Sequence, residues 1–204
     1  MNENPIGVHG QHPSLILASG SPRRREILGR LHVPFAVEVS DVDETPRPDE
    51  GPEELALRLA LAKARSVAAR HATGLVVGSD TVVARGGRIY GKPADADDAA
   101  VMLRALRGGA HLVVTGIAVV RAGDGAERAA VVPATVTMRP CSDDEIAAYV
   151  ATGEPMDKAG AYGAQGHGRH LIDRVDGPFL TVVGLPLDEL IPLLRDLGLD
   201  CVQE

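Results

Sequence analysis

Short β-branched runs alternate along this chain with longer Ala/Leu-rich runs, and no other feature narrows the possible folds as far. A helical bundle has no place for the first kind of run and a β-sandwich none for the second, so the alternation predicts an α/β domain. "SLILA" (14–18) reads as a buried strand and "FAVEV" (35–39) as a second. Between them, Ser21-Pro22 supply a helix N-cap and a proline for the first helical position. An acidic, proline-rich loop over 40–51 precedes a helix expected from Pro52 to about His71. "GLVVGSDTVVA" (74–84) reads as a strand interrupted by a polar step and followed by a Gly86-Gly87 turn.

A further helix is expected over Asp95–Arg107, then a long hairpin of 111–122 with 128–138 across "GDGAE". Ser142 with Glu145 forms a capping-box pattern that opens a helix ending near Thr152. A glycine-rich loop runs from Gly153 to Arg169, followed by two short strands across "DGP" and a terminal helix over Leu187–Leu197. Loops of that length are usually functional or disordered. The 204 residues, 45% of them hydrophobic, suffice for one substantial core and are too few for two large domains. The expected organisation is a flexible polar tail over 1–13 and a single domain over 14–204.

Composition removes several functions. A net charge of −7 does not suit a surface that coats nucleic acid, because phosphate neutralisation dominates such binding. Aromatic residues are 2% of the chain and tryptophan is absent, so a base-stacking platform is hard to assemble. No apolar run approaches the ~20 residues that span a bilayer, and the N-terminus lacks a signal-peptide pattern. Cys141 and Cys201 have neither disulfide-framework nor zinc spacing, which fits a reducing cytoplasm. Any anion site must therefore be local.

The stretch "LILASGSPRRREIL" (15–28) points to one. A strand that passes through a Ser-Gly-Ser turn into a helix presents unpaired backbone N–H groups at a positive dipole end. Three arginines in that first turn oppose the dipole unless an anion sits over them. With about 100° of rotation per residue, Arg23 and Arg24 can share a ligand with Ser21 while Arg25 turns to solvent. The alternative is a solvated basic surface with Glu26 and Arg30 paired at i,i+4. In the helix that follows, Leu55, Leu59, Ala62 and Ser66 are expected to face inward with Lys63 on the flank, where it either snorkels or reaches the same anion.

Asp80 is expected at the end of an apolar strand, where open α/β sheets place ligands. There it either holds a divalent cation, orients water, or simply caps a turn. Asp43 and Glu44 can complete an oxygen-ligand set with it or remain solvated loop acids. In "DKAGAYGAQG" (157–166) the residues are too small to form a core and let backbone approach a ligand closely. The Gln165 amide offers one donor and one acceptor, complementary to the imide edge of uracil or thymine.

Taken in order, "LILASGSPRRREIL", "ALAKA", "GSDTVV", "YGKP", "TGIAVV", "DKAGAYGAQG" and "VDGPFLTVVGLPL" resemble the motifs of the Maf family of nucleoside triphosphate pyrophosphatases. The resemblance covers nearly everything after residue 13. It implies a two-lobed α/β domain with a central mixed, twisted sheet flanked by helices, a cleft between the lobes, and a homodimer. It also implies hydrolysis of a nucleoside triphosphate to the monophosphate and pyrophosphate with a divalent cation, Mg²⁺ or Mn²⁺. By the same resemblance Ser21, Arg23, Arg24, Lys63, Lys92 and Gln165 fall on substrate-binding positions, Asp80 on the proton acceptor, and Glu44 with Asp80 at the metal.

The 157–166 loop looks like the branch that acts on dTTP and UTP, with Arg23, Thr81 and Gln165 at its specificity positions. The basic "GHGRH" that follows is a departure, and its two histidines are expected to affect pH dependence. The rival expectation is a nucleotide-binding regulator of septum formation that performs no chemistry. Acidic residues beside phosphates favour the enzyme, since a pure binder gains little from them.

Overall fold

The computed structural model describes residues 14–201. The expected tail over 1–13 lies outside the described residues. The chain folds around a seven-stranded mixed sheet of order β2-β1-β3-β5-β6-β7, with β4 as a third partner of β3. Its strands are β1 (Leu15–Leu17), β2 (Phe35–Val37), β3 (Leu75–Arg85), β4 (Arg88–Tyr90), β5 (Ala110–Arg121), β6 (Glu127–Met138) and β7 (Ile172–Asp176). The helices are α1 (Pro22–Gly29), α2 (Pro52–Ala68), α3 (Ala96–Leu106), α4 (Asp143–Val150), α5 (Phe179–Val183) and α6 (Leu187–Asp196). The α/β class is as the alternation of runs predicts, and the mixed sheet is as the family resemblance implies.

The period-2 alternation of β3 separates two layers. Val76 and Val82 face α2, packing with Ala60, Ala64 and Val67 or with Leu55 and Leu59. Leu75, Val77 and Val83 face the other way, into the larger core that α1, α3 and α6 cover with Ile27, Leu103 and Leu190. The start signals at Ser21 and Ser142 hold. The Ser21 hydroxyl caps α1, and Ser142 with Glu145 forms the reciprocal box on α4; Asp95, expected as the first helical residue of α3, is its N-cap instead. The long hairpin is β5 with β6, paired from Ala110–Thr137 to Val120–Glu127.

Four expectations need correction. The polar step does not interrupt β3, because Gly78, Ser79, Asp80 and Thr81 all pair in register with β5. Asp80 is therefore mid-strand, not at a strand end. The inward stripe of α2 is Leu55, Ala56, Leu59, Ala60, Lys63, Ala64 and Val67, whereas Ala62 and Ser66 are only half-buried; Lys63 sits within the stripe and not beside it. "FLTVV" (179–183) is the short helix α5 and not a strand. After β7 the chain leaves the sheet at Gly177 (φ 115°) and Pro178, and α5 closes at Gly184 (φ 114°). Its Thr181 carbonyl and that of Gly184 accept bonds from Thr115 and Ser79, so tertiary partners override the β-branched composition.

The 153–169 segment is the fourth. It holds 3₁₀ turns at Glu154–Asp157, Ala159–Ala161 and Gly166–Leu171. Ala161, Tyr162 and Ala164 belong to the main core, so this composition packs after all. Both cysteines are free, and no helix among the described residues is long and apolar enough to cross a membrane.

Candidate active site

The cleft is a gap in the sheet. On the side of β3 away from β5, β1 pairs with Leu75–Val77 and β4 with Val83–Arg85. Neither covers residues 78–82. A cavity of about 820 Å³ opens there, within the range usual for small-molecule sites. Because successive side chains of β3 point to opposite faces, Asp80 enters this cavity from the α2 side and Thr81 from the other.

On the α2 side, Lys63 Nζ lies 2.6 Å from Asp80 Oδ1 and 2.7 Å from Glu44 Oε1. Lys63 is 8% and Asp80 9% exposed, so the ammonium is buried against carboxylates and does not snorkel. Two glycines allow this. A Cβ on Gly78 would stand 2.2 Å from the Ala60 carbonyl oxygen, and one on Gly116, the β5 residue opposite Asp80, 2.2 Å from that of Ala56. Without those side chains α2 lies directly on the sheet and carries Lys63 onto Asp80. Burial opposes the charge on Glu44, but the Lys63 hydrogen bond and the charges of Lys63, Lys92 and Arg24 hold its carboxyl below the usual range. Asp43 is not part of this group; its Oδ1 accepts the Thr45 N–H at 2.9 Å in a local turn.

On the other side, the Ser21 cap orients α1 so that Arg24 points inward and Arg25 stays exposed. Arg24 is held at three nitrogens. Its Nε donates to the Gly184 carbonyl at 2.9 Å, Nη1 to Ser19 Oγ at 3.3 Å and Nη2 to Thr81 Oγ1 at 3.1 Å. Thr81 and Thr115 hydroxyls lie 2.9 Å apart, and Thr115 donates to the Thr181 carbonyl at 2.7 Å, so a relay of hydroxyls backs the guanidinium. Burial lowers the Arg24 pKa while Asp80 and Glu44 pull it back up. Arg23 is freer, with Nη1 3.4 Å from Asp157 Oδ2 across the mouth of the cleft. The surface pair Glu26–Arg30 also forms, at 3.4 Å.

Exposed Lys92, after β4, and half-buried Gln165 complete the lining among the expected residues. His167 and His170 are exposed and outside it. Five cationic side chains (Arg23, Arg24, Lys63, Lys92, Lys158) and three acidic ones (Glu44, Asp80, Asp157) line one cavity of an acidic chain. A local excess of cations beside a buried carboxylate suits a polyanion with chemistry done on it, more than binding alone.

The sequence profile of the Maf family, described as "Maf-like protein", matches residues 14–197. The chain belongs to the Maf family. Relatives support the placement over nearly full length. A dTTP/UTP pyrophosphatase of Moorella thermoacetica is 49% identical over 186 residues, covering 91% of this chain and 96% of the relative. One of Geobacter sulfurreducens is 50% identical over 185 residues (90% and 96%), and one of Nitratidesulfovibrio vulgaris 52% over 189 (92% and 89%).

Several residues that shape this Maf cleft carry no signal in the sequence. Gly184 contributes a carbonyl that binds both Arg24 and Ser79 Oγ, the latter at 2.8 Å. Tyr162 lines the cavity while its hydroxyl meets His111 Nε2 at 2.6 Å behind the wall. A carbonyl acceptor and a buried tyrosine leave no local pattern. The glycines of "GSD" and "TGIAVV" were visible, but their purpose, contact with α2, was not.

Proposed function

We propose that this Maf protein hydrolyses dTTP and UTP to the nucleoside monophosphate and pyrophosphate, a housecleaning activity on the nucleotide pool. The observation that carries this reading is the buried Lys63–Asp80 pair, joined by the more exposed Glu44, facing Arg23 and Arg24 across one cavity. The names carried by relatives about half identical to it support the substrate class.

In this reading the triphosphate lies over the N-terminus of α1, where backbone N–H groups, Ser21, Arg23 and Arg24 meet its oxygens through charge-assisted bonds. Arg24 is preorganised by its three partners, and Arg23 leaves Asp157 for the phosphates. Lys63 and Lys92 add positive charge from the opposite wall. Asp80 takes a proton from the attacking water, whose oxygen forms the new bond to phosphorus as the bond across the α–β bridge breaks and pyrophosphate departs. Gln165 stands at the base end and pairs with the imide edge, while Thr81 acts through Arg24.

The residues also fit a divalent cation. Among the described residues no set of three acidic, histidine or cysteine side chains gathers at one point. Two carboxylates, Glu44 and Asp80, do converge on one ammonium. That donor count suits Mg²⁺ or Mn²⁺, which is held by one or two carboxylates together with substrate phosphates. Such an ion would neutralise charge on the phosphate oxygens. The same reading makes the protein a cytoplasmic homodimer.

The test is a product assay over a panel of nucleotides, with and without Mg²⁺ and Mn²⁺, on wild type and Asp80→Asn. Wild type should release pyrophosphate from dTTP and UTP, and Asp80→Asn should lose roughly a hundredfold or more in kcat while keeping a cooperative melt, at a lower midpoint because Lys63 loses a buried partner. Binding of UTP without release of pyrophosphate under any of these conditions would instead establish a nucleotide sensor.

A further inference from the structure

Gln165 is presented by backbone that folds around a single carboxylate outside the cavity. Glu154, at the start of the 153–169 segment, accepts three hydrogen bonds. Oε2 takes the His167 N–H at 2.8 Å, and Oε1 takes the Gly168 N–H at 3.0 Å and the Tyr149 hydroxyl at 3.1 Å. The Tyr149 oxygen in turn accepts the Gly163 N–H at 3.2 Å. The backbone is thus held on both sides of Gln165, at 163 and at 167–168.

The glycines of "GAQGHG" follow from this wrapping. A Cβ on Gly166 would stand 2.8 Å from Glu154 Oε2, one on Gly163 3.1 Å from Oε1, and one on Gly168 2.6 Å from the Tyr149 oxygen. Gly166 also has φ 67°, which L side chains rarely adopt. Tyr149 is 5% exposed and anchored in the main core, so the hub is tied to α4 and does not float with the loop. Burial works against the Glu154 charge, yet the bonds from Gly168, His167 and Tyr149 hold its carboxyl below the usual range. It is an acceptor for all three donors at neutral pH.

We propose that Glu154 is a specificity-positioning residue: through His167, Gly168 and the Tyr149–Gly163 bond it sets where the Gln165 amide meets the pyrimidine. The inference rests on the reading that Gln165 pairs with the base. Its consequence is that loss of the carboxylate blurs discrimination between UTP, with an N3–H donor, and CTP, with an N3 acceptor, more than it slows turnover.

Glu154→Gln keeps the shape but turns one acceptor into a donor that faces N–H groups. The experiment compares kcat/KM for UTP and CTP in wild type, Gln165→Ala, Glu154→Gln and the double variant, with melting curves to check folding. The expected result is a fall in the UTP:CTP ratio of about tenfold for Gln165→Ala and about fivefold for Glu154→Gln, carried by a higher KM for UTP. The double variant should match Gln165→Ala alone. A Glu154→Gln enzyme that loses both substrates equally, or a double variant with a ratio well below that of Gln165→Ala, would overturn the proposal.

The two readings fail differently. An unchanged ratio in Gln165→Ala removes base reading by Gln165, and the inference with it. A lowered ratio in Gln165→Ala with an unchanged one in Glu154→Gln removes only the positioning role. Should Glu154→Gln not fold, Tyr149→Phe cuts the link to Gly163 and keeps the ring in the core. It should lower the ratio two- to threefold, and no change would overturn the proposal.

Discussion

Arg23 and Arg24 are neighbours in sequence and opposites in physics. Arg24 donates to three protein acceptors, among them the Gly184 carbonyl, while Arg23 makes one ion pair whose side chains are 29% and 60% exposed. Arg24→Ala should therefore cost stability as well as activity, about 1 to 3 kcal/mol for the hydrogen bonds lost from a charged donor. Arg24→Lys should rescue little of it, since an ammonium cannot reproduce a three-point fork. Arg23→Ala should leave the melting temperature nearly unchanged, because exposed pairs contribute little, while weakening UTP binding about tenfold or more and UMP binding less. Thermal melts with calorimetric titration of both nucleotides check the contrast, and equal losses for UTP and UMP would move Arg23 away from the phosphates. The paired arginines and Ser21 were legible at a helix start because capping acts over three residues; which arginine is a strut and which is mobile was not, since Gly184 lies 160 residues away.

Among elements, the seat of α2 on the sheet decides whether the cleft works. Gly116→Ala places a methyl where the Ala56 carbonyl oxygen would stand 2.2 Å off, so the helix must move outward and take Lys63 from Asp80. The expected outcome is a loss of about 1 to 3 kcal/mol in urea unfolding and a fall in kcat at saturating UTP. Gly29→Ala, at the end of α1 with open space around it, should be neutral or slightly stabilising in the same measurement. Elements with local signals were readable: the Ser21 and Ser142 caps, the β5–β6 hairpin, and α6. The stripe of α2 was misread because Ala62 and Ser66 look as apolar and small as Ala60 and Ala64. Only the opposing glycines of β3 and β5 choose between them. "FLTVV" was unreadable for a related reason, as the carbonyls of Thr181 and of Gly184 just after it find partners in Thr115, Ser79 and Arg24 and not in a neighbouring strand.

At the scale of the whole molecule, the core carries a pH-sensitive group. His111 is 3% exposed, and burial, aided by Arg85 and opposed by a hydrogen bond to the Gly109 backbone, lowers its pKa to about 4 from 6.5. The unfolded chain then binds the extra proton between pH 6.5 and about 4, so stability falls as pH falls through that window and is fully retained above it. The expected loss is on the order of 3 kcal/mol, and His111→Gln should flatten the dependence in denaturant midpoints measured from pH 7 to pH 4.5. Glu50 and Glu145, held to about 2 by Arg58 and Arg139, lose their contribution only at lower pH. The sequence by itself determined the α/β class, the Ser21 and Ser142 caps and the hairpin, because each depends on side-chain period or on bonds spanning a few residues; the set of polar residues near one cleft came with the family resemblance. Only the tertiary structure decided that Asp80 stands mid-strand in a gap between β1 and β4, that Lys63 is buried on it, and that Glu154 shapes the Gln165 loop. Those features depend on desolvation and on partners far apart in the chain, and neither exists until the layers have packed.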